Sequence, residues 1–192
     1  MTEKDVFRVL VEFPWIVFVI YWIIGAIRTR PTREKESFAS RFAILLLEIA
    51  GYTVVFSSSA GIGFLGIRFV PRTMVSATLG VVLTWSGIGL ALWARYHLAE
   101  YWSATITIKE DHQLIRTGPY AHLRHPIYSG LVLATIGSAL VIDEWRCVLG
   151  IGLVLTGYCL KAGKEETMLS RQFGDAFREH QKHTGFLIPR FR

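Results

Sequence analysis

The segment His112–Gly130 concentrates the side chains that are best able to exchange protons and donate hydrogen bonds. It holds three His, two Arg and two Tyr around two prolines, and it lies between long apolar runs. Gly118-Pro119 predicts a turn. Pro126 disfavours helical angles at His125 and predicts a new helix that begins at Pro126. A polar segment that is bent twice between apolar runs favours an active site at a membrane surface.

Three charged side chains, Lys161, Glu165 and Glu166, form a second candidate group where the last apolar run ends. Lys161 and Glu165 are four residues apart and therefore share a helix face. Two interpretations stay open: a surface ion pair worth less than about 1 kcal/mol, or side chains that line a site. Glu48, inside another apolar run, is a functional candidate by default. Alternatively, it lies near the inner interface and reaches water or Arg41.

The composition is typical of a polytopic membrane protein. Of the 192 residues, 52% are hydrophobic and only 19% are charged, against about a quarter charged in soluble domains. The net charge of +6 does not indicate a nucleic-acid partner, because the Lys and Arg lie in short loops between apolar runs, as the positive-inside rule expects. Cys147 and Cys159 would lie about 18 Å apart on one helix, too far for a disulfide.

The apolar runs predict an all-α fold with about five transmembrane helices and a C-terminal amphipathic helix. The predicted spans are Phe13–Ile27, Phe42–Leu65, Val75–Ala94, Ile127–Ile142 and Cys147–Leu160, and the amphipathic helix is Gly163–His183. Residues 143–146 predict the turn of a helical hairpin between the last two spans. Three spans make up an N-terminal part, residues 1–94, and residues 95–192 form the catalytic part.

The charge distribution predicts how the chain is oriented. With five spans and an outer N-terminus, 16 of the 21 Lys and Arg lie in the inner segments. The active-site segment and the C-terminal tail are therefore both expected to face the cytoplasm. Arg28-Thr29-Arg30 follows the first apolar run with no small-residue cleavage site before it, which predicts a membrane anchor instead of a cleaved signal.

Two other patterns are given structural interpretations. Gly61, Gly63 and Gly66 match the G-x-G-x-x-G pattern, but no Asp or Glu follows within 25 residues and the run is embedded in a predicted span. We expect these glycines to allow close helix packing instead of nucleotide binding. No metal site is expected, because the histidines of the polar segment lack a Cys partner and an H-E-x-x-H spacing.

Two motifs together resemble those of the isoprenylcysteine carboxyl methyltransferase family. The first is His112-x-Leu114-Ile115-x-x-Gly118-Pro119-Tyr120-x-x-x-Arg124-His125-Pro126-x-Tyr128-x-Gly130, and the second is Glu165-Glu166-x-x-Leu169-x-x-x-Phe173-Gly174. The resemblance covers roughly residues 93–189. It implies an integral-membrane enzyme that uses S-adenosyl-L-methionine without a Rossmann domain and methylates the carboxylate of isoprenylcysteine-like or other lipophilic acceptors.

The resemblance also implies roles for individual residues. Cofactor contacts would come from His112, Gln113, Leu114, Ile115, Tyr120, His125, Pro126, Ile127 and Tyr128. Arg124 and Glu165 would be catalytic, Lys161 and Glu165 would bind the acceptor, and no metal would take part. The family usually has Arg at the position of Lys161, and an ammonium cannot clamp a carboxylate bidentately as a guanidinium can.

Other functions stay open beside carboxyl O-methylation. Thiol S-methylation and phospholipid N-methylation are the nearest alternatives. A nicotinamide-dependent membrane reductase would share part of the first motif, and a non-enzymatic membrane scaffold would bind no cofactor. The expected partners are membrane lipids and a lipophilic or small membrane-partitioning acceptor. The expected location is the cell inner membrane in a prokaryote or the endoplasmic reticulum in a eukaryote, with the active site facing the cytoplasm.

Overall fold

The computed structural model describes residues 3–26, 32–35, 38–99, 107–109 and 114–191. These residues form six α-helices and two short strands. In chain order they are α1 (Glu3–Ala26), β1 (Thr32–Lys35), α2 (Phe38–Phe56), α3 (Met74–Leu98), β2 (Thr107–Lys109), α4 (Pro126–Ile142), α5 (Trp145–Phe173) and α6 (Asp175–His183).

Helices α1 to α5 alternate in direction, so the bundle has two functionally different ends. At one end, called here the site end, α4 begins at Pro126 and the C-terminal end of α1 lies against α3, where Arg95 Nη2 donates to the Gly25 carbonyl at 2.8 Å. At the opposite end, called here the hairpin end, α4 ends at Ile142 and α5 begins at Trp145. Each helix therefore has one terminus near the polar segment and one far from it.

Small residues bring the central helices close together. A Cβ added to Gly130 of α4 would lie 2.8 Å from the backbone nitrogen of Ala91 in α3, and one added to Gly150 of α5 would lie 2.8 Å from the carbonyl oxygen of Gly51 in α2. Interfaces of this kind are typical of helices that pack within membranes. The buried core between α3, α4 and α5 includes Ile88, Ala91, Leu131, Ala134 and Val154.

The prediction of an all-α fold is confirmed for the bundle, to which the structure adds one short two-stranded ribbon. Strands β1 and β2 pair antiparallel, with Thr32 opposite Lys109 and Lys35 opposite Thr107. They lie in the two polar connections that follow the first span and precede the active-site segment. A pairing between segments more than 70 residues apart leaves no local sequence signal, so periodicity could not predict it.

The second predicted span, Phe42–Leu65, is too long at its C-terminal end. Helix α2 ends at Phe56, and 3-10 helices follow at Ser58–Ala60 and Gly63–Gly66. The expectation that the G-x-G-x-x-G glycines pack helices is therefore wrong. They close a loop, because a Cβ on Gly66 would lie 2.5 Å from the carbonyl oxygen of Gly61. The first span is also extended: α1 begins at Glu3, not Phe13.

The predicted boundary between the helices Cys147–Leu160 and Gly163–His183 is wrong. Helix α5 continues through Lys161 to Phe173, and the break comes at Gly174, whose φ of 50° is a backbone conformation suited to glycine. Ala162 and Gly163 do not interrupt the helix, because a single glycine costs only about 1 kcal/mol in a helix interior. The amphipathic part is thus the last turns of α5 together with α6.

The hairpin predicted at residues 143–146 is confirmed. Asp143 ends α4 in a left-handed conformation with φ 62°, and Glu144 is extended before α5 begins. Asp143 is buried, and its carboxylate pairs with Arg72 at 2.8 Å and with Arg68 at 3.4 Å. These pairs close the hairpin end of the bundle.

Three of the described helices are long and apolar enough to cross a membrane: Asp5–Gly25, Met74–Leu98 and Trp145–Phe173. Pro126–Ile142 is also apolar but has only 17 residues. At 1.5 Å per residue it spans about 26 Å, slightly less than the hydrocarbon thickness of a typical bilayer. The architecture is that of an integral membrane protein, and the count of five spans stays a prediction.

Candidate active site

The polar segment bends where the sequence predicts. A 3-10 helix at Gly118–Ala121 begins with Gly118, whose φ is 58°, and a Cβ at Gly118 would collide with the imidazole of His97 at the end of α3. His125 is non-helical, with φ −124° and ψ 58°, and Pro126 is the first residue of α4. The predicted turn and the predicted helix start are therefore confirmed, and His125 is held at the N-terminus of α4.

Glu166 connects the polar segment to both C-terminal helices. Its Oε1 accepts from Arg124 Nε at 2.5 Å and lies 3.1 Å from His125 Nε2, while its Oε2 accepts from Gln181 Nε2 at 2.8 Å. Arg124 also donates through Nη1 to the carbonyl of Thr184 at 2.6 Å. All these groups are largely buried, so Glu166 fixes where Arg124 and His125 can lie.

The adjacent Glu165 faces the other side of the same histidine. Tyr128 donates its hydroxyl to Glu165 Oε1, and His125 Nδ1 lies 3.4 Å from Glu165 Oε2. Burial alone would lower the pKa of His125, but hydrogen bonds to Glu165 and Glu166 and the charges of both carboxylates outweigh it, so the pKa is raised above its ordinary value. His125 thus links the two carboxylates, with one ring nitrogen near each.

A stack of rings extends from His125 into the bundle. The rings of His125 and Tyr128 are 5.6 Å apart at 9°, and those of Tyr128 and Tyr158 are 4.8 Å apart at 10°. The hydroxyls of Tyr158 and Tyr52 are 3.0 Å apart, which ties the stack to α2. Lys161 Nζ lies 5.5 Å from the centroid of the Tyr128 ring, within the range of a cation–π contact.

Lys161 does not form the surface pair with Glu165 that was one interpretation of the sequence. Its Nζ lies 3.5 Å from Oε1 of Glu48 in α2, and the two side chains are only 15% and 13% exposed. Glu48 therefore belongs to the site region. The sequence marked it as an ionisable residue within an apolar run but did not identify its partner, because the two residues are 113 positions apart.

The remaining residues implied to hold the cofactor are placed around this centre. Tyr120 and Ile127 are buried in the main core, Pro126 is buried, and Ile115 packs against the core from its edge. Burial raises the pKa of the Tyr120 hydroxyl, which stays protonated at neutral pH. Leu114 is partly buried, and His112 and Gln113 lie outside the described residues.

The C-terminal segment after α6 covers the polar segment. Arg124 N donates to the Gly185 carbonyl at 2.9 Å, and Ser129 Oγ donates to the Leu187 carbonyl at 2.8 Å. The ring of Phe186 lies edge-on to His125 with centroids 5.1 Å apart. The sequence did not predict this role of the tail, because the tail's contacts are mostly to backbone groups and depend little on residue type.

In the part of the chain that the structure describes, no group of three or more His, Cys, Asp and Glu is arranged to hold a metal ion. The polar side chains described in this region are carboxylates, imidazole, phenols and ammonium or guanidinium groups. The fold and this site together define a helical membrane protein with a buried polar centre at one end of its bundle.

Comparison with known proteins confirms the resemblance predicted from the two motifs. Residues 78–171 match the model of the isoprenylcysteine carboxyl methyltransferase (ICMT) family. A protein-S-isoprenylcysteine O-methyltransferase of Schizosaccharomyces pombe is 31% identical over 81 residues, which cover 42% of this chain and 34% of that protein. The matched stretch thus spans about a third of that relative.

A structural comparison gives a weaker likeness over more of the chain. The eukaryotic intramembrane Ras methyltransferase ICMT aligns with 98% of this chain and 54% of its own, at 21% identity and a TM-score of 0.43. The matched family segment contains the polar segment, α4 and α5 up to the second motif. It leaves α1, α2 and Glu48 outside.

Proposed function

We propose that this chain is an integral-membrane methyltransferase that uses S-adenosyl-L-methionine to methylate a carboxylate on a lipophilic acceptor. The observation that carries the proposal is the contact of Glu165 with both Tyr128 and His125. It joins the segment implied to hold the cofactor to the residues implied to hold the acceptor, so donor and acceptor would meet at one point. The family match and the name of the yeast relative support the same activity.

Methyl transfer to a carboxylate needs little acid–base help from the protein. A carboxylate is already ionised at neutral pH, so the side chains need only hold the nucleophile in line with the methyl carbon, at about 3–3.5 Å. Bound S-adenosyl-L-methionine would supply a methyl group on a sulfonium, so that an O–C bond would form as the S–C bond breaks, with the electron pair left on sulfur, to give a neutral ester and S-adenosylhomocysteine. Because opposite charges disappear, a site that excludes water favours the step.

The described side chains suit a cationic cofactor with a flat base. Glu165 would supply a carboxylate that stabilises a sulfonium-like cation. The parallel rings of His125, Tyr128 and Tyr158 provide planar apolar surface beside it. We assign Arg124 as a positioning residue, because its guanidinium is bound to Glu166 and to the Thr184 carbonyl.

Lys161 is the cation best placed to bind an acceptor carboxylate. It lies on the α5 face that also carries Glu165, and its ammonium stands above the Tyr128 ring. A polar cofactor from the cytosol and a lipophilic acceptor from the bilayer can meet only near the membrane surface, which fits a polar centre at the end of the bundle. We propose that this end faces the cytoplasm, as the loop charges predict.

A second candidate is transfer to a neutral thiol or amine. The observation that favours it is the identity of Lys161, which cannot form the bidentate clamp of an arginine and is already paired with Glu48. Both candidates need the same cofactor, so they differ only in the group that receives the methyl.

The test uses the purified full chain in nanodiscs with radiolabelled S-adenosyl-L-methionine and three acceptors: an N-acetylated S-prenylcysteine, a prenyl thiol and phosphatidylethanolamine. We expect base-labile label on the prenylcysteine, because only a methyl ester is released by mild alkali. Alkali-stable label on the thiol or the amine would establish the second candidate. No label on any acceptor, together with no binding of S-adenosylhomocysteine, would contradict a methyltransferase.

A further inference from the structure

Glu48 approaches the candidate acceptor site from outside the segment that the family model matches. It lies in α2, whereas the matched segment begins at residue 78. Its side chain is only 13% exposed, and its carboxylate lies 3.5 Å from Lys161 Nζ. Within the apolar bundle, a charge so placed is costly unless it has a function or a partner, and here the partner is the residue implied to bind the acceptor.

The packing of α2 against α5 places the Glu48 carboxylate beside Lys161. A Cβ on Gly157 would lie 3.1 Å from Glu48 Cγ, so the absence of a side chain at Gly157 lets the stem of Glu48 cross α5. Gly157 is one helical turn before Lys161, which places the end of the Glu48 side chain at the ammonium. One turn further along α2, the hydroxyl pair of Tyr52 and Tyr158 fixes the same register.

Ion pairs at the centre differ in how tightly they are held. Arg124 and Glu166 are joined at 2.5 Å within a network that also includes Gln181. Lys161 and Glu48 are separated by 3.5 Å, longer than the roughly 2.7–2.9 Å of a charge-assisted hydrogen bond. Oε1 of Glu48 is buried and accepts no hydrogen bond from any described residue. An incoming anion can therefore displace Glu48 from Lys161 more easily than it could displace Glu166 from Arg124.

We propose that Glu48 sets the specificity of the acceptor site as an intramolecular counter-ion of Lys161, which an anionic acceptor must displace in order to bind. This inference rests on the proposed function, because it takes Lys161 as the group that binds the acceptor. Its consequence is selective: removing the charge of Glu48 tightens binding of a carboxylate and leaves binding of the matching neutral ligand unchanged.

The experiment measures equilibrium binding to the full chain saturated with S-adenosylhomocysteine. The two probes are an N-acetylated S-prenylcysteine and its carboxamide, which have nearly the same shape but differ in charge. Glu48→Gln is expected to tighten binding of the acid about 5-fold, the factor that corresponds to a modest ion pair, and to leave the carboxamide unchanged. The control Glu12→Gln removes a carboxylate that pairs with Arg8 on an exposed face of α1 and should alter neither.

Unchanged or weaker acid binding in Glu48→Gln would overturn the inference, as would equal changes for both probes, because Glu48 would then only support the local structure. If Glu48→Gln does not fold, Glu48→Asp withdraws the carboxylate by one methylene and should shift acid binding in the same direction. Failure of both variants to fold would also overturn it. No binding of either probe to the wild type would do so as well, because Lys161 would not then serve this class of ligand.

Turnover separates this inference from the proposed function. If Glu48→Gln tightens acid binding but the wild type forms no methyl ester, the proposed function fails and the counter-ion role stands. If the wild type forms the ester and Glu48→Gln binds the acid as the wild type does, the function stands and the inference fails.

Discussion

Two adjacent carboxylates contact the same histidine but are placed for different tasks. Glu166 is bound by Arg124, His125 and Gln181, so both of its carboxylate oxygens have partners within the protein. Glu165 is bound by Tyr128 and His125 and lies beside the aromatic stack where donor and acceptor are proposed to meet. This difference predicts that replacement by glutamine lowers the rate of methyl transfer at Glu165 and the stability of the fold at Glu166.

Glu165→Gln is expected to lower the initial rate of methyl transfer by about 100-fold or more, because positioned charges in desolvated sites typically contribute that much, while its thermal melt stays near that of the wild type. Glu166→Gln is expected to reduce stability by about 3–5 kcal/mol, because it leaves the largely buried Arg124 without its carboxylate. Rates and melts of the two variants measured side by side provide the check. A wild-type rate in Glu165→Gln would refute its role.

Lys161 allows a second prediction at the residue scale, which uses the family's usual residue. Lys161→Met should lower the methyl-transfer rate by about 100-fold or more without changing S-adenosylhomocysteine binding. With a carboxylate acceptor, Lys161→Arg should hold or raise the rate through bidentate contact. With a thiol or amine acceptor, the larger side chain gains no partner and should not raise it. A wild-type rate in Lys161→Met would remove Lys161 from the acceptor site.

At the scale of elements, local signals in the sequence predicted the ends of helices more reliably than their lengths. The helix start at Pro126, the turn at Gly118 and the hairpin at residues 143–146 each depend on a few neighbouring residues, and the sequence predicted all three. The continuation of α5 through Lys161 was not, because Glu48 and Tyr128 supply partners that make a polar stretch compatible with a continuous helix. Tyr120 is placed in the core, a position that a motif cannot distinguish from a ligand contact.

Helix α2 depends on one residue of another helix for its C-terminal end. Arg146 Nη1 donates to the carbonyls of Val54, Val55 and Ser57 at 3.0, 2.5 and 2.9 Å, and its Nε pairs with Glu144 at 2.5 Å. Arg146→Met should cost about 3–5 kcal/mol of unfolding free energy, because it leaves buried acceptors unpaired. The matched control Arg8→Met breaks an exposed pair and should cost less than about 1 kcal/mol. Equal losses in unfolding titrations would contradict the capping role.

Two buried histidines, His180 in α6 and His125 before α4, have pKa shifts in opposite directions and should together give the free energy of unfolding an optimum near pH 6.5. Burial, together with the charges of Arg116 and Arg124, lowers the pKa of His180 to about 4. Its contribution is therefore present above the unfolded pKa of about 6.5 and is lost as the pH falls toward 4. The pKa of His125 is raised, so its contribution is complete below about 6.5 and is lost as the pH rises through its folded pKa.

Thermal melts from pH 4.5 to pH 8.5 test this pair of histidines. His180→Asn should flatten the acid side of the profile and leave the alkaline side as in the wild type. His125→Asn should do the reverse, because the two residues titrate in different windows. If His180→Asn leaves the acid side unchanged, then protonation of His180 does not govern the docking of α6.

At the scale of the whole molecule, Lys and Arg are distributed unequally along the chain. At the hairpin end, Arg68 and Arg72 pair with Asp143, and Arg146 pairs with Glu144. The segments 28–41, 95–126 and 161–192, which the sequence predicts to share the side of the site end, carry 16 of the 21 Lys and Arg. An excess of Lys and Arg in the segments that flank membrane spans favours the cytoplasmic side, so we expect the site end to face the cytoplasm.

This asymmetry leads to the prediction that the N-terminus and the C-terminus lie on opposite sides of the membrane, with Arg192 in the cytoplasm. If each of the alternating helices α1 to α5 crosses the membrane, the number of passes is odd, and the termini are then on opposite sides. Compartment-specific reporters fused before Met1 and after Arg192 of the full chain provide the measurement. As a control, replacing Arg28, Arg30 and Arg33 by Gln should raise the fraction of inverted molecules, since these charges flank the first span. If both reporters indicate the same side in the unaltered chain, five spans are excluded. One of the shorter helices, α2 or α4, would then not span the membrane.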